Sequence, residues 1–145
     1  MLTPYLAFMP DAPPRLTVKP VTKVTWKDLE TLFEGKGGPS YCWCMLFREM
    51  DGARSSATNA DRKRALKSCI DKRTLLGLVG YVKGEPVAWC SVAPRDSFLK
   101  SLTDKQDSGE TGIWSITCLV VRRDYRKSGF MQRTLDAAVK QAKKR

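Results

Sequence analysis

The residues best suited to chemistry in this 145-residue sequence form one short run, Arg126-Lys127-Ser128-Gly129-Phe130-Met131. The run separates an apolar, strand-like segment, residues 113–121, from a helix-like segment that continues to the last residue. The first-turn N–H groups of a helix point out of its N-terminus, and the helix dipole adds about half a positive charge there. Because Gly129 has no side chain, a phosphate can approach the main chain closely. The sequence therefore predicts a phosphate-binding turn and a phosphate-bearing cofactor.

Basic residues surround this turn. The formal net charge is +11, which indicates anionic partners. A basic group within residues 62–73 is interpreted as a solvated helix face. Nucleic acid is the alternative partner, but the sequence has no aromatic-rich RNA motif, zinc finger or helix-turn-helix spacing. The group around the turn consists of Arg122, Arg123, Arg126, Lys127, Arg133, Lys140, Lys143, Lys144 and Arg145.

The turn resembles the acyl-CoA pyrophosphate loop of the GNAT superfamily of N-acetyltransferases, written Q/R-x-x-G-x-G/A and preceded by a strand of the form L-x-V. Leu119-Val120-Val121 matches the strand, and Arg126 and Gly129 match the loop. Met131 departs from the pattern, because the family has Gly or Ala there. A larger side chain at this helix start is expected to crowd the pyrophosphate, which affects affinity more than the identity of the site.

Upstream segments extend the resemblance from about Leu16 to the end of the chain. Residues 78–89 are similar to the hairpin that precedes the cofactor strand in many GNAT proteins. Residues 41–45 and 89–94 are similar to segments of a bacterial subgroup whose substrates are mostly unassigned. The resemblance implies acetyl-CoA as co-substrate, bound by Leu119, Val120, Val121, Arg126, Lys127, Ser128, Gly129, Phe130 and Met131.

The sequence contains no histidine. This excludes the usual general base, every Ser-His or Cys-His nucleophile and most zinc sites. Direct transfer remains possible, because a neutral amine can attack a bound thioester that the protein positions and polarises. Some family members carry a glutamate base at the position of Ser115. Since serine is not a competent base at its free pKa, Ser115 and Thr117 are predicted either to hold a proton-accepting water or to bond neighbouring structure.

Five cysteines are spread along the chain, an odd number that favours reduced thiols in a cytoplasm over disulfides. Cys42 and Cys44 lack the second pair that a structural zinc site requires, so they are interpreted as buried thiols, and no metal is predicted. Cys118 is predicted in the core, on the strand face opposite Ser115. Trp43 and Trp89 are interpreted as core residues or as walls of an acceptor pocket.

The length indicates one domain. Residues 1–14 hold four of the eight prolines and are predicted to be a flexible arm rather than a secretory signal; residues 15–145 are predicted to form the GNAT-like acyl-CoA-binding domain. No apolar run approaches the ~18 residues of a membrane-spanning helix. The expected fold is α/β (α+β), with a mixed, mostly antiparallel sheet flanked by helices.

The periodicity of the apolar residues predicts where the strands and helices lie. Strands are expected at residues 16–19, 76–82, 87–92 and 113–121, with a hairpin turn at Gly84. Helices are expected from N-cap Thr25 to Gly35, over residues 59–71 and from the turn to the end. Residues 95–111 are expected to be a long polar loop, and residues 41–47 a strand or an irregular crossing. In the last strand Trp114, Ile116, Cys118 and Val120 are predicted to share one face.

The resemblance implies N-acetyl transfer from acetyl-CoA to an amine of a small molecule. A non-catalytic acyl-CoA-binding module and a basic nucleic-acid-binding protein remain the alternatives. GNAT proteins normally continue after this helix with further strands, the first of which forms the second wall of the cofactor cleft. We therefore expect a chain that lacks the C-terminal part of the fold, with weak or absent activity, and that either self-associates through an open sheet edge or is the ordered portion of a split fold.

Overall fold

The computed structural model describes residues 13–99 and 111–144, so most of the N-terminal arm and residues 100–110 of the polar loop lie outside the described residues. The fold is α+β. Four strands form one sheet in the order β1-β2-β3-β4, and every strand pair in the described ranges is antiparallel, where a mixed sheet was expected. The strands are β1 (Leu16–Pro20), β2 (Leu78–Val82), β3 (Glu85–Pro94) and β4 (Trp114–Val121).

Within residues 13–99 and 111–144, three α-helices flank the sheet: α1 (Trp26–Glu34), α2 (Asn59–Asp71) and α3 (Phe130–Lys143). The predicted bounds of α1 and α2 and the start of α3 are confirmed, whereas α3 ends at Lys143, short of the predicted end at the last residue. None of the helices in the described ranges is long and apolar enough to cross a membrane. Residues 41–47 form turns rather than a strand.

The hairpin between β2 and β3 is confirmed, with a two-residue turn at Lys83 and Gly84. Both residues have positive φ, +50° and +79°, as a type I′ turn requires. The strand after the turn begins at Glu85, two residues earlier than predicted. Pro86 fits near its start because the pairing with β2 is irregular at Gly80/Tyr81.

Helix α3 packs on one face of the sheet, and α1 and α2 pack on the other. Under α3, Cys90, Val92 and Ala138 are buried together, and Phe130 is buried against Val121. The larger core lies on the opposite face and includes Trp26, Leu29, Phe33, Trp43, Met45, Leu66, Leu76, Val79 and Trp89. Trp43 and Trp89 are 2% and 0% exposed, so both are core residues.

A β-bulge in β4 corrects the predicted strand faces. Ser91 pairs with Cys118 but the next residue, Val92, pairs with Ile116, so Thr117 is the extra residue. The alternation of side chains therefore reverses at this point. Trp114, Ile116, Leu119 and Val121 lie on the α3 side, whereas Ser115, Cys118 and Val120 lie on the α1 side. Cys118 and Ser115 thus share a face, contrary to the prediction.

Candidate functional site

The predicted phosphate-binding turn lies at the start of α3. Gly129 is the N-cap residue, with a φ of +78° that favours glycine, and Lys127 also has a positive φ of +63°. A Cβ atom at Gly129 would meet no atom within 4 Å, so the space in front of the helix is open. The first turn of α3 carries no acidic residue. Geometry and charge both suit an anion here.

The main-chain N–H groups of residues 127–132 are the donors of this turn. None of them has a hydrogen-bond partner among the described residues; the first bond of the helix runs from the Arg133 N–H to the Gly129 carbonyl oxygen. Residue 129 is glycine, so no N-cap side chain accepts a hydrogen bond from these N–H groups. The N–H groups of residues 130–132, in the first turn of α3, point out of its N-terminus, an arrangement that favours phosphate oxygens.

Arginines around the turn have different roles. Arg126 donates from Nε to the Val121 carbonyl oxygen at 2.9 Å. Arg122 donates from Nε to Asp124 Oδ1 at 2.9 Å, and this bond raises the pKa of its guanidinium. Arg133 lies over the Phe130 ring, 4.4 Å from its centroid, and its buried Nη2 has no partner. Arg122 is thus neutralised locally, whereas Arg133 donates from Nη1 to the Pro14 carbonyl oxygen at 3.2 Å and its buried Nη2 is closed to a ligand.

Strand β4 leads into this turn, and its outer edge is the edge that faces away from β3. Among the described residues β4 pairs only with β3. The Arg122 N–H donates to the Val87 carbonyl oxygen at 2.8 Å, so alternation directs the main-chain groups of Val120 toward β3 and those of Leu119 and Val121 outward. Leu119 and Val121 can therefore bind an extended ligand along this edge. Val120 has no free main-chain groups, so only its side chain could take part.

The two predicted catalytic hydroxyls lie at the bulge. Thr117 is half-buried and donates from Oγ1 to Ser91 Oγ at 2.9 Å. Ser91 is fully buried and was not singled out by the sequence, because a serine in an apolar strand gives no local signal of its partner. Ser115 is half-buried, and no hydrogen bond of its side chain occurs in the described parts of the chain. The structure therefore brings Thr117, rather than Ser115, into a polar network.

Two of the larger cavities among the described residues lie on the α1 and α2 side of the molecule. One, of about 540 Å³, lies between the end of α1 and the residues after β4, and its lining includes Lys36, Arg122 and Arg123. The other, of about 660 Å³, lies between α2 and the segment before it, and its lining includes Glu49 and Asp51. Both are of the size that small-molecule sites occupy.

Basic residues of α2 are largely engaged. Lys63 binds Glu30 and Glu34, at 2.5 and 2.6 Å, and lies 5.2 Å from the centroid of the Trp43 ring. Arg64 pairs with Asp61. These ion pairs reduce the positive field of the helix, which agrees with its interpretation as a solvated face.

The profile of the Acetyltransferase (GNAT) family matches residues 41–145, well over half of the sequence. The chain belongs to this family. The match includes the turn, β4 and the hairpin on which the resemblance was based. Among curated proteins, none matches the sequence.

Solved structures of GNAT acetyltransferases share the fold at low sequence identity. Aminoglycoside N-acetyltransferase AAC(6')-Iy in complex with CoA is 7% identical, with a TM-score of 0.60 over 94% of this chain and 74% of that one. AAC(6')-IG from Acinetobacter haemolyticus is 17% identical, with a TM-score of 0.54 over 88% and 72%. Ribosomal-protein-alanine N-acetyltransferase from Brucella melitensis is 13% identical, with a TM-score of 0.55 over 90% and 74%. These likenesses concern the fold alone.

Proposed function

We propose that this GNAT protein transfers an acetyl group from acetyl-CoA to the amine of a small molecule by direct transfer. The observation that carries the proposal is the row of free N–H groups at residues 127–132, continuous with the free edge of β4. CoA joins a pyrophosphate to an extended, amide-containing arm, and these two parts suit the two features in that order. A cytoplasmic location belongs to the same proposal, supported by five free cysteines.

In this proposal the binding residues act mainly through their main chain. The turn holds the pyrophosphate, Leu119 and Val121 hold the arm, and Met131 borders the turn with a side chain that is 50% exposed. The guanidinium of Arg126 is fixed through Nε, and its other nitrogens are left to bind the pyrophosphate at the entry in this proposal. The cofactor-binding residues are Leu119, Val120, Val121, Arg126, Lys127, Ser128, Gly129, Phe130 and Met131.

The transfer step requires that the amine and the thioester be correctly positioned, and it requires a path for one proton. The amine attacks the thioester carbonyl in its neutral form, and an N–H group of the β4 edge polarises that carbonyl. Thr117 uses its hydroxyl proton for Ser91, so its oxygen keeps lone pairs that can accept a hydrogen bond from a water or from the amine. Ser115 and Thr117 hold the proton-accepting water in this scheme.

The acceptor is proposed to be a small amine that is cationic in solution. The cavity beside α2 supports this, because its volume of about 660 Å³ suits a small molecule and its lining has three carboxylates, of Glu49, Asp51 and Asp61, against the two cations of Arg64 and Lys72. Carboxylates there would attract a cation, whereas the cavity beside Arg122 and Arg123 would repel it.

Calorimetry with CoA tests the proposal, using Gly129→Asp and its neutral control Gly129→Asn. Both side chains tolerate a φ of +78° better than other residues do, and both enter open space, so the two variants differ mainly in charge. We expect Gly129→Asn to retain binding and Gly129→Asp to lose it while thermal unfolding stays similar. Equal CoA affinity in the two folded variants would show that no phosphate sits at this turn.

Turnover separates an enzyme from a non-catalytic acyl-CoA-binding module. Release of free CoA thiol from acetyl-CoA is followed with a panel of small primary amines. An amine-dependent release that disappears in Gly129→Asp supports transfer. Tight CoA binding without amine-dependent release across the panel would favour the non-catalytic module.

A further inference from the structure

A cluster of thiols lies under the sheet, on the side opposite α3. Its centre is the sulfur of Cys44, which is 7% exposed. The indole N–H of Trp89 donates to this sulfur at 3.4 Å, and Cys118 packs against the same buried cluster, directly across the strand pair from Ser91. A neutral thiol is a weak acceptor, so a donor held at a buried sulfur favours the thiolate.

Arg48 supplies the positive charge of the cluster. It is 3% exposed, donates from Nη2 to the Leu76 carbonyl oxygen at 3.0 Å and lies over the Phe98 ring, 4.6 Å from its centroid. Its Nε has no partner, and no carboxylate of the described residues forms an ion pair with it. A buried guanidinium without a counter-charge is strongly unfavourable, so a nearby anion is required.

Cys44 is the group that meets this requirement. Negative charge on Cys44, and to a smaller extent on Cys69, stabilises the charged form of Arg48 against burial. The pKa of Cys44 is lowered to about 7, chiefly by the hydrogen bond from Cys118. The same bond raises the pKa of Cys118, and burial raises the pKa of Cys90 to about 12. Cys44 is therefore more acidic than Cys118.

The backbone around Cys44 is strained. Trp43 and Cys44 have φ values of +46° and +53°, two successive non-glycine residues in the left-handed region. Such strain persists where the surrounding structure fixes it, often at functional positions. Packing of Trp43 against Phe33, with ring centroids 5.1 Å apart, fixes it here.

We propose that Cys44 and Cys118 form an oxidisable thiol pair, in which Cys44 reacts with hydrogen peroxide and Cys118 resolves the product to a disulfide. The Cys44 thiolate attacks one peroxide oxygen, the O–O bond breaks, and the departing hydroxide takes a proton to become water. Cys44 is then a sulfenic acid, oxidised by two electrons. The sulfur of Cys118 attacks the sulfur of Cys44, an S–S bond forms, and the oxygen leaves as water with the proton of Cys118.

The bond would join the turn at residues 41–45 to β4. Cys118 lies directly between Thr117 and Leu119, so oxidation would fix the edge strand from the face opposite α3. The proposal does not depend on acetyl transfer, because it concerns only residues of this cluster.

Peptide mapping after peroxide treatment tests the pair. Cys42→Ala serves as the background variant, because each tryptic peptide that contains cysteine then contains one: residues 37–48, 68–72, 84–95 and 106–122. The folded protein is treated with peroxide, alkylated and digested without reductant. We expect a cross-link between peptides 37–48 and 106–122. No cross-link, or one that joins the peptides of Cys69 or Cys90, overturns the proposal.

Trapping of the sulfenic acid assigns the roles. In Cys118→Ala, dimedone should label Cys44, whereas in Cys44→Ala it should label Cys118 no faster than Cys69. Equal labelling of Cys118 in Cys44→Ala would overturn the assignment of Cys44 as the attacking group. Iodoacetamide alkylation of Cys44 against pH gives a readout that needs no oxidant. A midpoint near pH 7 supports the thiolate, and a midpoint near the ordinary thiol value of 9.0 contradicts it.

Arg48 variants test the counter-charge. Arg48→Gln should slow sulfenic acid formation at Cys44 at least tenfold at pH 7, and Arg48→Lys should restore part of the rate because it keeps the charge. Unchanged rates in both would show that Arg48 does not act on the sulfur. If Arg48→Gln does not fold, Arg48→Lys alone tests the counter-charge. The midpoint pH of Cys44 alkylation in this variant should rise only slightly above that of the wild type.

Discussion

Arg126 donates from Nε to the main-chain carbonyl oxygen of Val121 at 2.9 Å. Val121 is the last residue of β4, and Arg126 opens the turn that leads into α3, so the bond fixes where the chain leaves the sheet. The carbonyl faces outward because Val121 is in a non-hydrogen-bonded pair with Ala88. One side chain therefore both shapes the turn and places positive charge at its entrance.

The first prediction concerns Arg126→Met, which removes this bond and the charge while keeping an unbranched side chain. We expect the free energy of unfolding to fall by about 1 kcal/mol, the usual net value of one hydrogen bond, and CoA affinity to fall about tenfold. Urea unfolding and calorimetry measure the two effects. Lys127→Met is the matched control, because Lys127 is exposed and its side chain forms no such bond; only affinity should fall. Unchanged stability in Arg126→Met would contradict a structural role.

Met131 gives the second prediction. Its side chain is half-exposed in the first turn of α3, beside the free N–H groups. Met131→Ala removes bulk at no cost in helix propensity, so CoA should bind more tightly at equal stability. Met131→Gly should bind similarly but lose up to ~1 kcal/mol of stability. Weaker binding by both variants in calorimetry would mean that Met131 contacts the ligand instead of crowding it.

The helices and the hairpin could be predicted because their signals are local. Gly84 marks the turn of the hairpin, and Gly35 and Gly129 mark the end of α1 and the start of α3. The faces of β4 could not be predicted in the same way. The residues predicted to share a face with Trp114 and the residues observed on that face are all apolar. The sequence therefore contains no sign that Thr117 is an extra residue between the paired strands β3 and β4.

In the candidate site, too, the local features could be predicted from the sequence and the long-range contacts could not. The turn at Gly129 is a local feature, and its place at a helix N-terminus followed from the order of strand and helix. The contacts of Thr117 and Cys44 depend on β3 and on the turn at residues 41–45, which are distant in sequence. Arg48 follows an aromatic, apolar segment and carried no signal of burial. Long-range pairing decides such contacts, and a single sequence does not show it.

Thr117 and Ser91 provide the third prediction. Ser91 is fully buried and accepts the Thr117 hydroxyl at 2.9 Å. Thr117→Val and Ser91→Ala should each destabilise the fold by about 1–3 kcal/mol, because each leaves a polar group without its partner, whereas the double variant should cost less than their sum. Urea unfolding of the four proteins gives the coupling. Ser115→Ala, on the same strand, should change stability little. Strict additivity would mean that the two hydroxyls do not interact.

Acid stability is the fourth prediction and concerns the start of α2. The Asp61 carboxylate accepts the Thr58 N–H at 2.8 Å, and this bond lowers the pKa of Asp61 below its ordinary value of 3.8. A lowered folded-state pKa means that the contribution is complete above the unfolded pKa and is lost as pH falls through the folded one. Asp61→Asn keeps an acceptor but does not titrate. The difference in melting temperature between wild type and Asp61→Asn should therefore be constant above pH 5 and change below about pH 4. A difference independent of pH down to pH 2 would exclude this contribution.

The outer edge of β4 gives the last prediction, self-association. Leu119 and Val121 have outward main-chain groups, and the start of the same strand lines an apolar groove of about 380 Å³ with α3, where Ile116 and Val139 are 40% and 43% exposed. An edge of this kind pairs readily with a second copy. Light scattering over a range of concentrations should show a dimer, and Ile116→Lys should return it to a monomer because a charged edge residue opposes pairing. Lys140→Ala, a change on an exposed part of α3, should leave the dimer intact. A wild-type protein that stays monomeric at high concentration would mean that other residues cover this edge.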